Sequence, residues 1–296
     1  MRIRNLHMTS SHMDSLQIIF YKIALIKTKT ILLLMFFVIL TGCSGAKYKE
    51  SYIPIQEVNK IKIKYDVKMF VVQENSSLDV SNNLGNIEVY GWRDSKIKIE
   101  INNSQDVNNN NSSDSAYECF ISDNRVVFKS KYQNEDESLR NRIDLKIYIP
   151  RHMANLELNM KKCNFTIYDR IDTKINANLE NGDMIIKSFE GEINVNIKKG
   201  NITFESVSLK DKNNVFIEKG NISFKGSIDS NNISIFDTQF GNIKFGVHSS
   251  ETAPLFECDG DVESNDLLYK KNPVSNKDAK VILKCNGGHI DLAEII

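Results

Sequence analysis

Alternating apolar and polar residues occupy most of the chain after residue 56, with the two-residue period of strands that bury one face. Helical spacing is almost absent from the same region. The C-terminal half adds a second pattern, in which a glycine followed by Asn, Asp or His opens a short alternating strand. These glycines are Gly182, Gly200, Gly220, Gly241, Gly260 and Gly288, and the steps between them are 18, 20, 21, 19 and 28 residues. The pattern therefore predicts a repeat, and we call each stretch from one such glycine to the next a rung.

The near-constant step favours an all-β fold in which a single chain forms a β-solenoid, also called a β-helix, with rungs of about 18–21 residues. Glycine reaches positive φ without a Cβ clash, and the Asn or Asp beside it suits a corner. A β-sandwich is the alternative, because Asn181-Gly182 is also a hairpin signal. We expect residues 151–296 to form the regular rungs and residues 57–150 to form a β-rich N-terminal cap, whose last strand ends at Pro150.

The amino-terminal segment predicts export. Lys27 and Lys29 precede a ten-residue apolar run at residues 31–40, which is shorter than the roughly 20 residues that span a bilayer. The Leu-Thr-Gly-Cys that ends at Cys43 resembles the lipobox of bacterial lipoproteins. That resemblance implies a signal peptide over residues 1–42, a lipid on Cys43 and a tether over residues 43–56. Residues 1–24 do not fit a compact signal, so we expect translation to begin downstream of them. The alternative is that they form a longer N-terminal region of the same signal peptide.

A longer passage resembles a known family. Residues 84–92 read Leu-Gly-Asn-Ile-Glu-Val-Tyr-Gly-Trp, and the Pro150 strand and the glycine rungs follow. This order is similar to that of the bacterial "putative adhesin" family, a domain of unknown function. The resemblance covers about residues 57–292 and implies a β-helical cell-envelope protein without known catalysis. Cys163 departs from the pattern, because it stands where the first rung would carry glycine.

Composition and motifs exclude several kinds of function. The chain has 38 basic and 38 acidic residues, and a net charge of zero gives no long-range attraction to nucleic acid. It shows no metal-binding or nucleophile motif, so we expect no cofactor, no metal and no catalytic residues. The acidic stretch around Asp261 lacks the spacing of a calcium loop.

Four cysteines remain after Cys43, namely Cys119, Cys163, Cys258 and Cys285. Outside the cytoplasm such a set can form disulfides. Cys258 and Cys285 each lie shortly before a rung glycine, which makes a bond between them a candidate. Buried free thiols are the alternative.

These observations predict a lipid-anchored protein on the extracytoplasmic face of the cell membrane, which acts as a non-catalytic binding or scaffold module with an unidentified protein or glycan partner. One alternative is an accessory protein of an envelope-stress sensing system. Another is a carbohydrate-active β-helix enzyme, which would require acidic and basic side chains to converge in one groove.

Overall fold

The computed structural model describes residues 61–106, 116–131, 141–230, 232–248, 254–265 and 279–295. The predicted signal peptide, Cys43 and the tether lie outside them. Every regular element in the described part is a strand, which confirms the all-β class. The strands are β1 Ile61–Val71, β2 Ser77–Trp92, β3 Lys96–Asp106, β4 Tyr117–Ser122, β5 Arg125–Ser130, β6 Asn141–Pro150, β7 His152–Ile167, β8 Ile171–Asn181, β9 Met184–Ile186, β10 Phe189–Lys199, β11 Ile202–Phe204, β12 Val207–Leu209, β13 Lys212–Lys219, β14 Ile222–Ile228, β15 Ile233–Phe240, β16 Ile243–His248, β17 Leu255–Asn265 and β18 Lys280–Ile295.

Successive rungs pair in parallel and in register. Ile193 of β10 lies opposite Ile175 of β8, and Val195 lies opposite both Ala177 of β8 and Val215 of β13. The shorter strands behave in the same way, since β11 pairs in parallel with β9 and with β14. All the described strands belong to one hydrogen-bonded sheet. Residues one rung apart in sequence are therefore direct neighbours in space.

The corner before β11 requires glycine. Gly200 has φ +145°, and a Cβ built on it would lie 1.8 Å from the carbonyl oxygen of Gly182 in the preceding rung. Neither the conformation nor the space allows a side chain. Cys163 occupies the corresponding corner of an earlier rung, opposite Gly85, and its φ is not positive. The first regular rung thus turns without the glycine conformation that later rungs use.

The core lies on the inward side of the rungs. Phe224 contacts Phe204, Phe236 and Phe245, with ring centroids 5.6, 5.4 and 4.4 Å away. Every residue of this core cluster lies between Val72 and Leu292. A chain that begins at Ser44 therefore retains every core residue that the structure describes, and residues Glu57–Ile296 form one compact unit.

The N-terminal region mixes both kinds of pairing. β2 pairs in parallel with β5, β6 and β7, as the later rungs do. In contrast, β1 with β3, β3 with β6, and β4 with β5 are antiparallel. Among the described strands β1 pairs with β3 alone, so it forms an edge of the sheet.

The order of the last rungs differs from the sequence order. The sequence predicts that the Gly260 rung follows the Gly241 rung, but β16 pairs with β18, and the oxygen of Gly241 lies against Gly288. Strand β17, which carries Gly260, pairs only with β18 among the described strands. The physical reason is burial: Leu283, Ile290 and Leu292 of β18 are fully buried, whereas Leu255 and Val262 of β17 are exposed. The more apolar strand takes the inner position.

Candidate binding face

The outward side of β2, β7, β8 and β10 carries matched rows of polar side chains. In-register parallel pairing places Ser81 beside Asn159, Asn159 beside Asn178, and Asn178 beside Asn196. Neighbouring strands lie about 4.8 Å apart. Strands β7, β8 and β10 thus each present one amide of this row at regular spacing.

A shallow depression of about 320 Å³ lies over this row. Asn83, Asn159, Asn178 and Asn196 contribute amides to it, and Lys161, Glu180 and Lys198 contribute charges. Lys198 Nζ lies 3.6 Å from a carboxylate oxygen of Glu180, and both side chains are well exposed. One lysine charge remains in excess among these lining residues. The lining side chains therefore carry only a small positive charge, which suits an uncharged or weakly anionic ligand.

The depression retains unused hydrogen-bonding groups. The Nδ2 of Asn178 donates to Asn159 Oδ1 at 3.2 Å. Within the described residues the side chain of Asn196 makes no hydrogen bond. Asn159 Nδ2 and Asn178 Oδ1 also stay open to solvent on this exposed surface. Donors and acceptors in fixed positions are what recognition of a hydroxyl-rich ligand requires.

In the adjacent outward row, which contains Asn155, Asn176 and Asn194, the amides are already hydrogen-bonded to neighbouring side chains. Asn176 Nδ2 donates to Glu157 Oε1 at 2.8 Å and to Asn155 Oδ1 at 3.2 Å. Asn194 Nδ2 donates to Asn176 Oδ1 at 3.2 Å and to Glu192 Oε1 at 3.0 Å. The Nδ2 groups of both amides are bonded to neighbouring side chains, so that row supports the sheet rather than a ligand.

An aromatic stack crosses the sheet at the other end of β2. Tyr90 lies between Tyr148 and Tyr168, with ring centroids 5.2 and 4.9 Å away. The ammonium of Lys98 lies 3.9 Å from the Tyr148 ring centroid, and that of Lys187 lies 4.4 Å from the Tyr168 centroid. Because neighbouring rings and lysines cover the ring faces, this stack has no free face for a sugar.

The predicted disulfide residues lie on neighbouring strands. Cys258 pairs with Leu283, and Cys285 follows two residues later, so the two thiols are diagonal neighbours. Both are free in the structure, as are Cys119 and Cys163. Burial raises the pKa of all four thiols, and that of Cys163 reaches about 12. The Cys258–Cys285 bond stays a prediction, which mass spectrometry under non-reducing conditions checks.

The structure also brings together three groups that the sequence separates. A β-bulge next to Glu263 on β17 directs its carboxylate toward His289 and Asp291 of β18. His289 Nε2 lies 3.6 Å from Glu263 and 3.8 Å from Asp291. These donors resemble a zinc ligand set, but Glu263 is largely exposed, and an imidazole between two carboxylates explains the cluster by itself. We assign no metal to it.

Sequence reasoning allows asparagine ladders on successive rungs but did not single out the amide row of the depression. The signal was present, because Asn159, Asn178 and Asn196 recur at steps of 19 and 18 residues. It was weak because the chain contains many other asparagines.

Among the described residues, no helix has the length and apolar character needed to cross a bilayer.

Comparison with known proteins gives remote structural likenesses only. No family model matches the chain, and no curated protein matches its sequence. A solved structure named as a putative adhesin from Parabacteroides merdae is 15% identical and has a TM-score of 0.44, over 79% of this chain and 97% of that one. A putative cell adhesion protein from Clostridium sporogenes is 13% identical with a TM-score of 0.37, over 79% and 100%. A structure from Parabacteroides distasonis named as a putative lipid binding protein is 9% identical with a TM-score of 0.32, over 78% and 97%. Likeness this remote assigns neither family nor function to this chain.

Proposed function

We propose that the chain winds as a β-solenoid and acts as a non-catalytic binding module, which holds a hydroxyl-rich polymer such as a polysaccharide in the asparagine depression. The observation that carries the proposal is the row Asn159, Asn178 and Asn196, whose amides are matched in register and only partly used by each other. A regular array of open amides complements a polymer whose hydroxyl groups recur along its length.

The site carries no assembled reactive group. Glu180 is the carboxylate of the depression, and it lies beside the ammonium of Lys198 on an exposed surface. A glycosidase would need two carboxylates facing one substrate bond. Binding without turnover is therefore the activity that these side chains support.

The proposal also places the module at the membrane. The Leu-Thr-Gly-Cys motif supports lipid attachment at Cys43, and a diacylated cysteine supplies the two chains that stable anchoring requires. The polymer would then be held at the extracytoplasmic surface. Metabolic labelling with palmitate tests the proposed lipid attachment, because a Cys43→Ser variant should lose the label. A label that persists in the variant would refute lipidation at Cys43.

Binding is tested with purified residues 44–296 against a panel of neutral and anionic polysaccharides by affinity electrophoresis. We expect retardation by at least one polymer, and loss of it in the double variant Asn178→Ala/Asn196→Ala. Asn214→Ala is the matched control, because Asn214 is an exposed asparagine on β13 outside the depression. Equal retardation of the double variant would refute the site, and release of new reducing ends would refute the non-catalytic role.

A further inference from the structure

The row of amides in the depression continues across the rest of the sheet. Asn196 of β10 lies opposite Phe216 of β13, and Phe216 lies opposite Asp237 of β15. Asp237 in turn lies opposite Lys284 of β18. Parallel in-register pairing keeps these side chains on the same outward face. We call this line of residues the cross-rung row, and its members are Asn159, Asn178, Asn196, Phe216, Asp237 and Lys284.

Phe216 places an aromatic ring among polar side chains. Val215 and Ile217 beside it are fully buried, so alternation directs Phe216 outward, where it is partly exposed. Its neighbours across the sheet are Asn196 and Asp237. Among the described residues, none of the ring stacks and cation contacts involves Phe216. Its ring is therefore not stacked on another aromatic or cationic group, unlike the rings of the tyrosine stack.

A pyranose sugar complements this arrangement. The face of an aromatic ring carries a weak negative potential, which attracts the C–H groups on the apolar face of a pyranose with equatorial hydroxyl groups. The hydroxyl groups at the edge of such a sugar would meet the open amide of Asn196, which lies one strand away from Phe216. A platform beside hydrogen-bonding amides therefore favours a pyranose over a sugar without a flat apolar face.

The charges along the cross-rung row favour an uncharged polymer. At its far end Lys284 lies between Asp237 of β15 and Asp259 of β17, which leaves one negative charge in excess. At the near end the side chains that line the depression carry one positive charge in excess. The two ends have opposite sign, so a polymer with one repeated charge would be repelled at one of them.

We propose that a neutral polysaccharide of pyranose sugars crosses the rungs along the cross-rung row, with one sugar ring stacked on Phe216. The inference rests on the proposed polysaccharide binding and adds the direction of the polymer, the class of sugar and a residue that recognises it. Neighbouring strands lie about 4.8 Å apart, which is close to the length of one pyranose unit in an extended chain. Successive sugars would therefore meet successive rungs.

The test is affinity electrophoresis of purified residues 44–296 in gels that contain hydroxyethyl cellulose, xyloglucan or galactomannan, which are neutral pyranose polymers. Levan, a furanose polymer, is the comparison. We expect retardation by at least one pyranose polymer and none by levan. The dissociation constant should be about tenfold weaker for Phe216→Ala, whereas Phe216→Trp should keep the affinity because it restores an aromatic face.

Phe240→Ala is the matched control, because it removes a phenylalanine that is 60% exposed and lies outside the cross-rung row. It should bind like the unsubstituted protein, and thermal melts verify that the variants fold. Fluorescence gives a second readout, since Trp92 is the one tryptophan of the chain and lies outside the row. The emission of Phe216→Trp should move to shorter wavelength when the retarding polymer is added, while that of the unsubstituted protein stays constant.

Undiminished binding by Phe216→Ala would overturn the proposal, and so would an equal loss in Phe240→Ala. Retardation by levan or by anionic polymers only would overturn it as well. In each of these cases, loss of binding in Asn178→Ala/Asn196→Ala would leave the proposed function standing. Absence of binding to every polymer would instead refute the proposed function, and the inference with it.

Discussion

The side-chain Oδ1 of Asn201 accepts the backbone N–H of Asn221, 20 residues later in the chain, at 3.0 Å. The same bond recurs at neighbouring corners, where Asp183 Oδ1 accepts the backbone N–H of Asn201 at 2.8 Å and Asn221 Oδ1 accepts that of Asn242 at 2.8 Å. This series of bonds ends at His289, whose backbone N–H donates to Asn242 Oδ1. Each of these corner side chains therefore supplies an acceptor to the backbone of the next rung, which explains why Asp or Asn follows Gly182, Gly200, Gly220 and Gly241.

Asn201→Ala should lower the free energy of unfolding by about 1–2 kcal/mol, because it removes the acceptor for Asn221 and the Nδ2 bond to Asp183 at 2.9 Å. Water reaches this exposed corner, which limits the loss. Urea unfolding measures the effect. Asn214→Ala serves as the control and should change stability by less than about 0.5 kcal/mol. A loss no larger than that of the control would show that the corner bonds do not hold the rungs together.

Gly200→Ala should destabilise the protein by about 3 kcal/mol or more. The new Cβ would meet the Gly182 oxygen at 1.8 Å while the backbone holds φ at +145°. The exposed neighbour Lys199 gives the control, and Lys199→Ala should be nearly neutral. Thermal melting compares the two variants. Similar melting temperatures would mean that this corner relaxes without strain.

Phe224→Ala should cost about 3–5 kcal/mol, because the ring is fully buried and packs against three other phenylalanines. Phe240 is 60% exposed, so Phe240→Ala removes the same side chain with a much smaller loss. Chemical denaturation gives the loss of unfolding free energy for both variants when the data are fitted with one common dependence on denaturant concentration. A loss below about 1 kcal/mol at Phe224 would contradict the described core.

Asp237→Asn should stabilise the protein at neutral pH. Burial raises the pKa of Asp237 above its ordinary value of 3.8, Asp259 adds to the shift, and Lys284 opposes it. One carboxylate oxygen is also buried without a hydrogen-bond partner in the described structure.

The sign follows from proton linkage. A raised folded-state pKa means that ionisation of Asp237 disfavours the folded protein, fully above that pKa and no longer below about 3.8. The melting temperature of Asp237→Asn should exceed that of the unsubstituted protein at pH 7, and the two should converge as the pH falls below 3.8. A constant difference across this range would exclude ionisation as its cause.

Much of the fold could be predicted from the sequence, because strand alternation and corner glycines are local requirements. Ile202 and Phe204 are inward because they alternate with polar residues directly after Gly200. The position of β17 at the end of the stack could not be predicted. The 19-residue step from Gly241 to Gly260 suggests adjacency, but no local rule states which of two strands takes the inner place.

The candidate site, like the fold, could be predicted from the sequence only in part. The alternation of apolar and polar residues in the sequence predicts that the side chains of Asn159, Asn178 and Asn196 point outward. Whether an amide is open or already bonded depends on its neighbour one rung away, and in this respect Asn176 and Asn196 differ.

The sequence by itself determined the strand class, the corner positions and which side chains face inward, because backbone φ and the two-residue alternation act within a few residues. The tertiary structure decided the rung order, the exposure of apolar β1 side chains such as Tyr65 and Met69, and the open amides. Each of these depends on which distant segments compete for the same buried or hydrogen-bonding partner, and only the packed chain resolves that competition.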